Sequence, residues 1–225
     1  MPAEKVVFLF DVDNTLLDND GVVADLMRDL ESEIGADRQR LYWQIFEEIR
    51  SQLGYADYLG ALQRYRIENP RDLHILAVSR YLLNYPFAMR LFPNSIEVIE
   101  HCRNFGRCVI LSDGDVVFQP HKVERSGLGE AVAGNVLIYI HKEQELDDIL
   151  ARFPADHYVL IDDKVRILNS IKQAWGARLT TVFPRQGHYA LDTKEVAKYP
   201  APDLELDSIG TLLKYDLPEL RALTR

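Results

Sequence analysis

The sequence predicts an α/β protein with a doubly wound parallel sheet and an inserted α-helical segment. Short apolar runs alternate with helical periodicity from residue 93 onward, and another apolar run occupies residues 6–10. Residues 18–91 between them have almost wholly helical patterning. Strands that alternate with helices through short connections are typical of parallel sheets with right-handed crossovers. We therefore expect an α/β core made of residues 1–17 and 92–225 and a helical cap at residues 18–91.

The first predicted strand is the run Val-Val-Phe-Leu-Phe at residues 6–10. An uninterrupted apolar run of this kind predicts a strand covered on both faces, as in a parallel sheet. Asp11 and Asp13 follow it directly and could face one pocket, because side chains two apart in an extended chain point the same way. Two neighbouring carboxylates favour a hard cation such as Mg²⁺. A turn in which Asp and Asn side chains bond their own backbone is the alternative interpretation.

The inserted segment divides into four predicted helices that would form a small bundle. Gly35 is predicted to end the first helix, Asp37 to cap the second, Gly54 to end it, and Asn69-Pro70 to start the fourth, which runs toward Pro86. The apolar stripes that define the first three are Leu26, Leu30 and Ile34; Tyr42, Phe46, Ile49 and Leu53; and Tyr55, Tyr58, Leu59, Leu62 and Tyr65.

After the insert, Asn94 is predicted to open a helix that closes at Gly106. Apolar runs then predict four more strands, which brings the expected total to about five. They lie at residues 108–111, 136–140, 158–161 and 179–183, and helical spacing at Leu146, Ile149 and Leu150 separates the middle two.

Polar residues follow three of these strands. Asp11 and Asp13 follow the first, Ser112 the second, and Asp162-Asp163 the run at 158–161. Ligands of parallel sheets bind beyond the carboxyl ends of strands, where the strand order reverses. Each cluster alone could be a solvated turn, but three unrelated turns are not expected at one edge of one sheet. We therefore expect these side chains to converge on one crevice.

Composition limits the possible partners. The chain has 225 residues, 47% of them hydrophobic, and a net charge of −9, which argues against a nucleic-acid or anionic-membrane surface. Its two cysteines form neither a disulfide framework nor a zinc pattern, and no apolar stretch of about 18 residues could span a bilayer. We expect a cytoplasmic protein, either a monomer or a homodimer.

The motifs at the strand ends resemble those of the haloacid dehalogenase superfamily over nearly the whole chain. Residues 10–18 read FDVDNTLLD and resemble its first motif, residues 110–115 read ILSDGD and resemble the second, and residues 159–164 read VLIDDK and resemble the fourth. The helical insert matches the position of the superfamily's first type of cap. Asn14 stands where Gly is commoner.

This resemblance implies roles for the acidic residues. Asp11 would be the nucleophile that forms an aspartyl-phosphate, and Asp13 would be the general acid and base. Mg²⁺ would be held by Asp11, the backbone carbonyl of Asp13 and Asp163, with Asp162 nearby through water, although which acid of the 162/163 pair binds directly is left open. Ser112 would donate a hydrogen bond to a phosphoryl oxygen.

The resemblance also requires a lysine that offsets charge at the nucleophile. Lys142 fits by position, although Glu143 stands where a Pro often follows that lysine, and Lys122 is the competing choice. The candidate loop and substrate contacts are Thr15, Asn14, Lys122, Tyr55, Tyr58 and Arg90. The aromatic stripe of the cap is more often bundle core than a substrate site, because each helix of a bundle must bury one face.

These implications favour a Mg²⁺-dependent phosphohydrolase that acts on a small phosphorylated metabolite. Members of the superfamily that cleave carbon–halogen bonds resemble this chain but lack the second Asp, so Asp13 favours phosphoryl chemistry. A haloacid dehalogenase-type hydrolase, a phosphomutase and a non-catalytic binding module with the same fold remain as alternatives.

Overall fold

A computed structural model of the protein describes residues 5–224, so residues 1–4 and 225 of the predicted core lie outside the described part. It contains one six-stranded sheet in the order β3-β2-β1-β4-β5-β6, and every pairing is parallel. The strands are β1 Val6–Phe10, β2 Arg107–Asp113, β3 Val136–Tyr139, β4 His157–Ile161, β5 Leu179–Pro184 and β6 Leu204–Leu206. The predicted doubly wound parallel sheet is confirmed.

Helices cover the sheet and fill the segment between β1 and β2. The first four, within the insert, are α1 Asn19–Ile34, α2 Ala36–Leu53, α3 Tyr58–Glu68 and α4 Ile75–Asn84. Those after the insert are α5 Ser95–Arg103, α6 Phe118–Arg125, α7 Leu128–Ala131, α8 Leu146–Arg152, α9 Val165–Trp175, α10 Gly187–Leu191, α11 Thr193–Val196 and α12 Leu217–Leu223. Within residues 5–224, none of the helices has the length and apolarity that crossing a bilayer requires.

The central strand β1 is buried on both faces, as its apolar sequence predicts. Phe8 and Phe10 pack on one side, in a core continuous with the buried stripes of α1 to α4, whereas Val7 and Leu9 pack on the other side with α9. Full burial of one such side chain contributes about 1.5–3 kcal/mol. The two cores fix β1 in the middle of the sheet.

The two chain segments that join the insert to the core lie side by side. Leu17 and Leu91 form an antiparallel bridge. The Asp18 N–H donates to the Arg90 carbonyl at 2.7 Å, and the Phe92 N–H donates to the Leu16 carbonyl at 3.0 Å. The predicted limits of the insert, residues 18 and 91, fall at this junction, and the division into core and cap stays a prediction.

Three local predictions for the helices and strands are wrong. The N-cap of α2 is Gly35, and Asp37 lies in its first turn. Asn69 ends α3 rather than starting a helix, because its backbone N–H and its side-chain amide both donate to the Tyr65 carbonyl; α4 begins only at Ile75. The sheet has a sixth strand, β6, which escapes prediction because only three residues form it.

Candidate active site

The strand register brings three of the predicted polar positions to one edge of the sheet. Phe10, the last residue of β1, is level with Ile110 of β2 and Ile161 of β4. The Asp11 N–H donates to the Ile161 carbonyl at 2.9 Å, so Asp11 and Asp162 leave neighbouring strands at the same level. Ser112 lies near the end of β2, on the other side of β1.

Three carboxylates form a buried group at this edge. Asp11, Asp162 and Asp163 are each at most 2% exposed, and each offers an oxygen within 4.8 Å of the others. Among the described residues, neither side-chain oxygen of Asp163 has a hydrogen-bond partner. An unpaired buried carboxylate is costly, whereas carboxylate oxygens are the ligands that Mg²⁺ prefers. The donor set therefore fits a divalent cation.

The electrostatics of the acid pair also favour a bound cation. Burial raises the pKa of Asp163 well above its usual value, and the neighbouring charges of Asp162 and Asp11 raise it further against the opposing effect of Lys164. Burial likewise raises the pKa of Asp162 to about 6, although Lys142 acts in the other direction. A divalent ion would compensate this crowded negative charge.

Lys142 lies inside the acid group. It opens a 3₁₀ turn after β3 and is completely buried. Its Nζ is 2.5 Å from Asp11 Oδ1 and 2.7 Å from Asp162 Oδ2. Burial alone would lower the pKa of Lys142, but Asp11, Asp162 and Asp113 together raise it well above its usual value, so the side chain stays charged. Of the two candidate lysines, Lys142 is the one in contact with the predicted nucleophile.

Lys122 occupies a different position, on α6. It is 1% exposed, and its Nζ donates to Asp13 Oδ1 at 2.6 Å and to Asn19 Oδ1 at 3.0 Å. Gln119, one turn earlier, donates to Ser112 Oγ at 2.9 Å and to Asp13 Oδ2 at 3.4 Å. Lys122 thus contacts the predicted acid and base, and the Asp13 carboxylate is not part of the buried acid group.

The loop after β1 is held by its own side chains. Thr15 Oγ accepts the Asp163 N–H at 3.0 Å and lies 3.4 Å from Asp11 Oδ2, so it ties the first motif to the fourth. Asn14 adopts a left-handed conformation with φ of 61°, and its amide group exchanges hydrogen bonds with Asp20 of α1. These two residues shape the loop, and the predicted contacts of Thr15 and Asn14 with substrate stay predictions.

A cavity of about 590 Å³ opens between the inserted helices and the core. Asp13, Asn14, Gly114 and Lys122 border it on the core side. Its aromatic side chains include Trp43, Phe46, Tyr55, Tyr58 and Phe118. The rings of Trp43, Phe46, Tyr58 and Phe118 follow one another with centroids 4.7–5.0 Å apart; the first two pairs are stacked and the last pair is tilted. They form an aromatic wall that leads from α2 to α6 beside Asp13.

The cavity separates the predicted cap contacts into two groups. Tyr55 and Tyr58 line it, although Tyr58 is also buried in the aromatic wall. Arg90 is not among its lining residues. The Arg90 guanidinium instead pairs with Asp25 of α1, whose carboxylate also accepts a hydrogen bond from the Tyr85 hydroxyl. Arg90 is thus engaged at the junction of the insert and the core, and its predicted contact with substrate stays a prediction.

Sequence reasoning missed several residues that border the site. Gln119 and Asn19 approach Asp13 or its lysine only through tertiary contacts, and no local pattern marks them. Gly187 has φ of +76°, and a Cβ there would lie 2.3 Å from that of Asn14. The adjoining Gln186 donates to the Thr15 carbonyl at 2.8 Å. A Gly directly after a strand marks a turn, but it does not indicate a contact with a loop 171 residues away.

Comparison with known proteins agrees with the architecture. The family model of haloacid dehalogenase-like hydrolases matches residues 6–175. A crystal structure of a haloacid dehalogenase-like hydrolase from Burkholderia xenovorans is 57% identical in sequence, with a TM-score of 0.90, and the match covers 95% of this chain and 100% of that one. A comparison with curated proteins gives no match.

Two more distant structures share the fold. A haloacid dehalogenase-like family hydrolase from Xanthomonas campestris is 18% identical, with a TM-score of 0.67, over 100% of this chain and 94% of that one. The L-2-haloacid dehalogenase of Xanthobacter autotrophicus is 17% identical, with a TM-score of 0.58, over 94% of this chain and 98% of that one. The extent of the family match, together with the 57% identical relative, shows that this chain is a hydrolase that belongs to the haloacid dehalogenase-like family.

Proposed function

We propose that the protein is a Mg²⁺-dependent phosphohydrolase, a phosphatase-type family member with a helical cap, that cleaves a small phosphorylated metabolite through an aspartyl-phosphate on Asp11. The observation that carries this proposal is the buried group of Asp11, Asp162 and Asp163, in which both oxygens of Asp163 lack hydrogen-bond partners among the described residues. A hydrolase that used Asp11 alone to attack carbon would have no need of that second pair of acids.

Asp11, Asp162 and Asp163 are the residues that would hold the metal, and the backbone carbonyl of Asp13 is the further ligand that the family resemblance implies. Bound Mg²⁺ would supply positive charge between the nucleophile and the phosphoryl oxygens. Both oxygens of Asp163 lack hydrogen-bond partners among the described residues, whereas Asp162 Oδ1 accepts the Lys164 N–H and Asp162 Oδ2 lies 2.7 Å from Lys142 Nζ. This difference supports Asp163 as the direct ligand of the pair.

The chain's own residues can perform both half-reactions. An Asp11 oxygen attacks phosphorus, the bond to the substrate's bridging oxygen breaks, and Asp13 gives that oxygen a proton. Asp13 then takes a proton from water as the water oxygen attacks phosphorus and releases Asp11. Lys142, 2.5 Å from Asp11, offsets the negative charge. Ser112 Oγ accepts a hydrogen bond from Gln119, and its hydroxyl would donate to a phosphoryl oxygen of the substrate.

The cavity supports a small substrate. Its volume of about 590 Å³ is within the range that suits a metabolite, and Asp13 lies on its border. The proposed substrate is therefore a phosphate ester whose leaving group occupies the space under the inserted helices.

A direct test measures phosphate release from p-nitrophenyl phosphate and from a panel of metabolite phosphates, with Mg²⁺ or with EDTA. We expect release that needs the metal and that disappears in Asp11→Asn. Chloro-acids, assayed in parallel for chloride, test the dehalogenase alternative: chloride release that is indifferent to EDTA would reject the proposal. Transfer of the phosphoryl group to a second sugar phosphate instead of water would identify a phosphomutase, and inactivity toward every substrate would favour a binding module.

We also propose a cytoplasmic location and a small-molecule partner, with no nucleic acid or membrane partner. Cys102 and Cys108 are both free and buried, which is compatible with a reducing compartment. Fractionation of cells that express the native protein tests the location, and light scattering distinguishes a monomer from a homodimer.

A further inference from the structure

A second buried lysine, Lys122, lies outside the acid group and contacts the predicted acid and base. The proposed function requires one lysine beside the nucleophile, and Lys142 meets that requirement. From the geometry we infer that Lys122 is a positioning residue for Asp13, and that Gln119 and Asn19 complete a clamp around the two. This inference rests on the proposed function, because it assigns Lys122 to the proton-transfer steps of that reaction.

The clamp holds both oxygens of the Asp13 carboxylate. Lys122 Nζ donates to Oδ1 at 2.6 Å, and Gln119 Nε2 approaches Oδ2 at 3.4 Å. Both donors come from the same face of α6, one helical turn apart. Asp13 itself is 27% exposed toward the cavity. Its carboxylate is therefore held from the side while it still faces the space that a substrate would occupy.

The position of the lysine is fixed from the cap side as well. Asn19, the first residue of α1, accepts a hydrogen bond from Lys122 Nζ at 3.0 Å and lies beside the Tyr58 hydroxyl of α3. The Nζ lies 5.6 Å from the centroid of the Phe118 ring. The clamp thus joins Asp13 to two helices of the insert.

Burial shows that Lys122 is not an ordinary surface lysine. Lysine is almost never fully buried unless it is paired, and the two oxygens that pair Lys122 lie 109 and 103 residues away in the sequence. The two lysines have different side-chain partners. Lys142 contacts Asp11 and Asp162, and Lys122 contacts Asp13 and Asn19. A positioning role explains why α6 directs a charged side chain into this contact.

The test compares a substrate whose leaving group needs a proton from Asp13 with a substrate whose leaving group does not. Departure of p-nitrophenolate needs little help from an acid, because this leaving group is stable as an anion, whereas an alkoxide must receive the proton of Asp13. Lys122→Met keeps an unbranched side chain of nearly the same length and removes its charge. Lys172→Met is the matched control. Lys172 lies on α9, is largely buried, and pairs with Asp203 at 2.7 Å.

With Mg²⁺ present, we expect Lys122→Met to lower kcat/KM for an alkyl phosphate by about 10²-fold or more, and to lower kcat/KM for p-nitrophenyl phosphate much less. Hydrolysis of the aspartyl-phosphate also uses Asp13, as the base. Rapid mixing with p-nitrophenyl phosphate should therefore give a burst of p-nitrophenolate equal to the enzyme concentration, followed by slow turnover. The Lys172→Met control should show neither the steeper dependence on leaving group nor the burst.

Equal losses of kcat/KM on both substrates, or a Lys122→Met enzyme that matches wild type on both, would overturn the positioning role. If circular dichroism shows that Lys122→Met is unfolded, Asn19→Ala takes its place, with an expected loss of about three- to tenfold confined to the alkyl phosphate. A wild-type protein without metal-dependent phosphate release would reject the proposed function itself and this role with it. If the wild type is active but each variant loses the same fraction of kcat/KM on both substrates, only the role of Lys122 is rejected.

Discussion

Replacement of Lys142 by Met tests the electrostatic balance of the buried acid group. In wild type, Lys142 Nζ lies 2.5 Å from Asp11 and 2.7 Å from Asp162, and the three side chains are at most 3% exposed. Removal of one partner from such a group leaves buried charge uncompensated, which costs about 3–5 kcal/mol in the free energy of unfolding. We expect a loss of this size in urea denaturation near neutral pH with EDTA, where no metal can substitute for the lysine.

The pH dependence of that loss is a second part of the same prediction. Burial raises the pKa of Asp162 from 3.8 to about 6 even with Lys142 opposing it, so without the lysine the pKa rises further. An acid with a raised pKa in the folded state contributes stability that is present below pH 3.8 and lost as the pH rises through the folded value. The cost of Lys142→Met should therefore shrink as the pH falls from neutral toward about 5.

Lys172→Met is the control for this experiment too. Its partner Asp203 keeps hydrogen bonds from the N–H and the hydroxyl of Thr181, at 2.9 and 3.0 Å, so no carboxylate is left unpaired. The control should lose about 1–3 kcal/mol, with little change between the two pH values. A cost below about 1 kcal/mol for Lys142→Met, or a cost that grows on acidification, would refute the reasoning.

Three further changes probe other parts of the molecule. Mg²⁺ should raise the melting temperature of wild type, measured by differential scanning fluorimetry, but not that of Asp163→Asn, because the neutral amide cannot supply an anionic oxygen; an equal rise in both would argue against a metal site there. Gly187→Ala should lose about 1–3 kcal/mol in urea denaturation, because the new Cβ would meet Asn14 and the backbone has φ of +76°, and an unchanged midpoint would show that the loop adapts. Asp25→Asn should cost about 1–3 kcal/mol in the same assay by weakening the ion pair with Arg90, whereas Asp37→Asn, on an exposed helix start, should be nearly neutral.

The acidic part of the candidate site could be anticipated from the sequence because each residue directly follows an apolar strand. In a parallel sheet, such positions share an edge whatever the connecting helices do. Asp11 and Asp162 therefore needed only the correct strand order to meet, and the observed register supplies it. The same logic brought Ser112 to this edge.

Residues outside the strand ends could not be placed in this way. Lys122 and Gln119 lie on α6, where sequence alone shows a polar segment that could equally face water. Their burial depends on partners in the loop after β1 and in α1, which are distant in sequence. The ion pair of Arg90 could not be anticipated for the same reason, since its partner Asp25 lies 65 residues away.

Local signals also misled where two structures compete for the same residues. Asn-Pro is typical of a helix start, yet Asn69 forms two bonds to the Tyr65 carbonyl and so completes the end of α3. The three residues of β6 form a strand because β5 offers an edge with which to pair. Neither outcome is encoded in a short window.

The paired crossing points at Leu17 and Leu91 have a consequence for how such a protein can diversify. Because the chain leaves the core at Leu17 and returns at the adjacent Leu91, a short turn could replace the whole insert without changing the order of the strands. The insert between these two positions can therefore change in length or be replaced during evolution while the sheet and the residues at its strand ends stay the same.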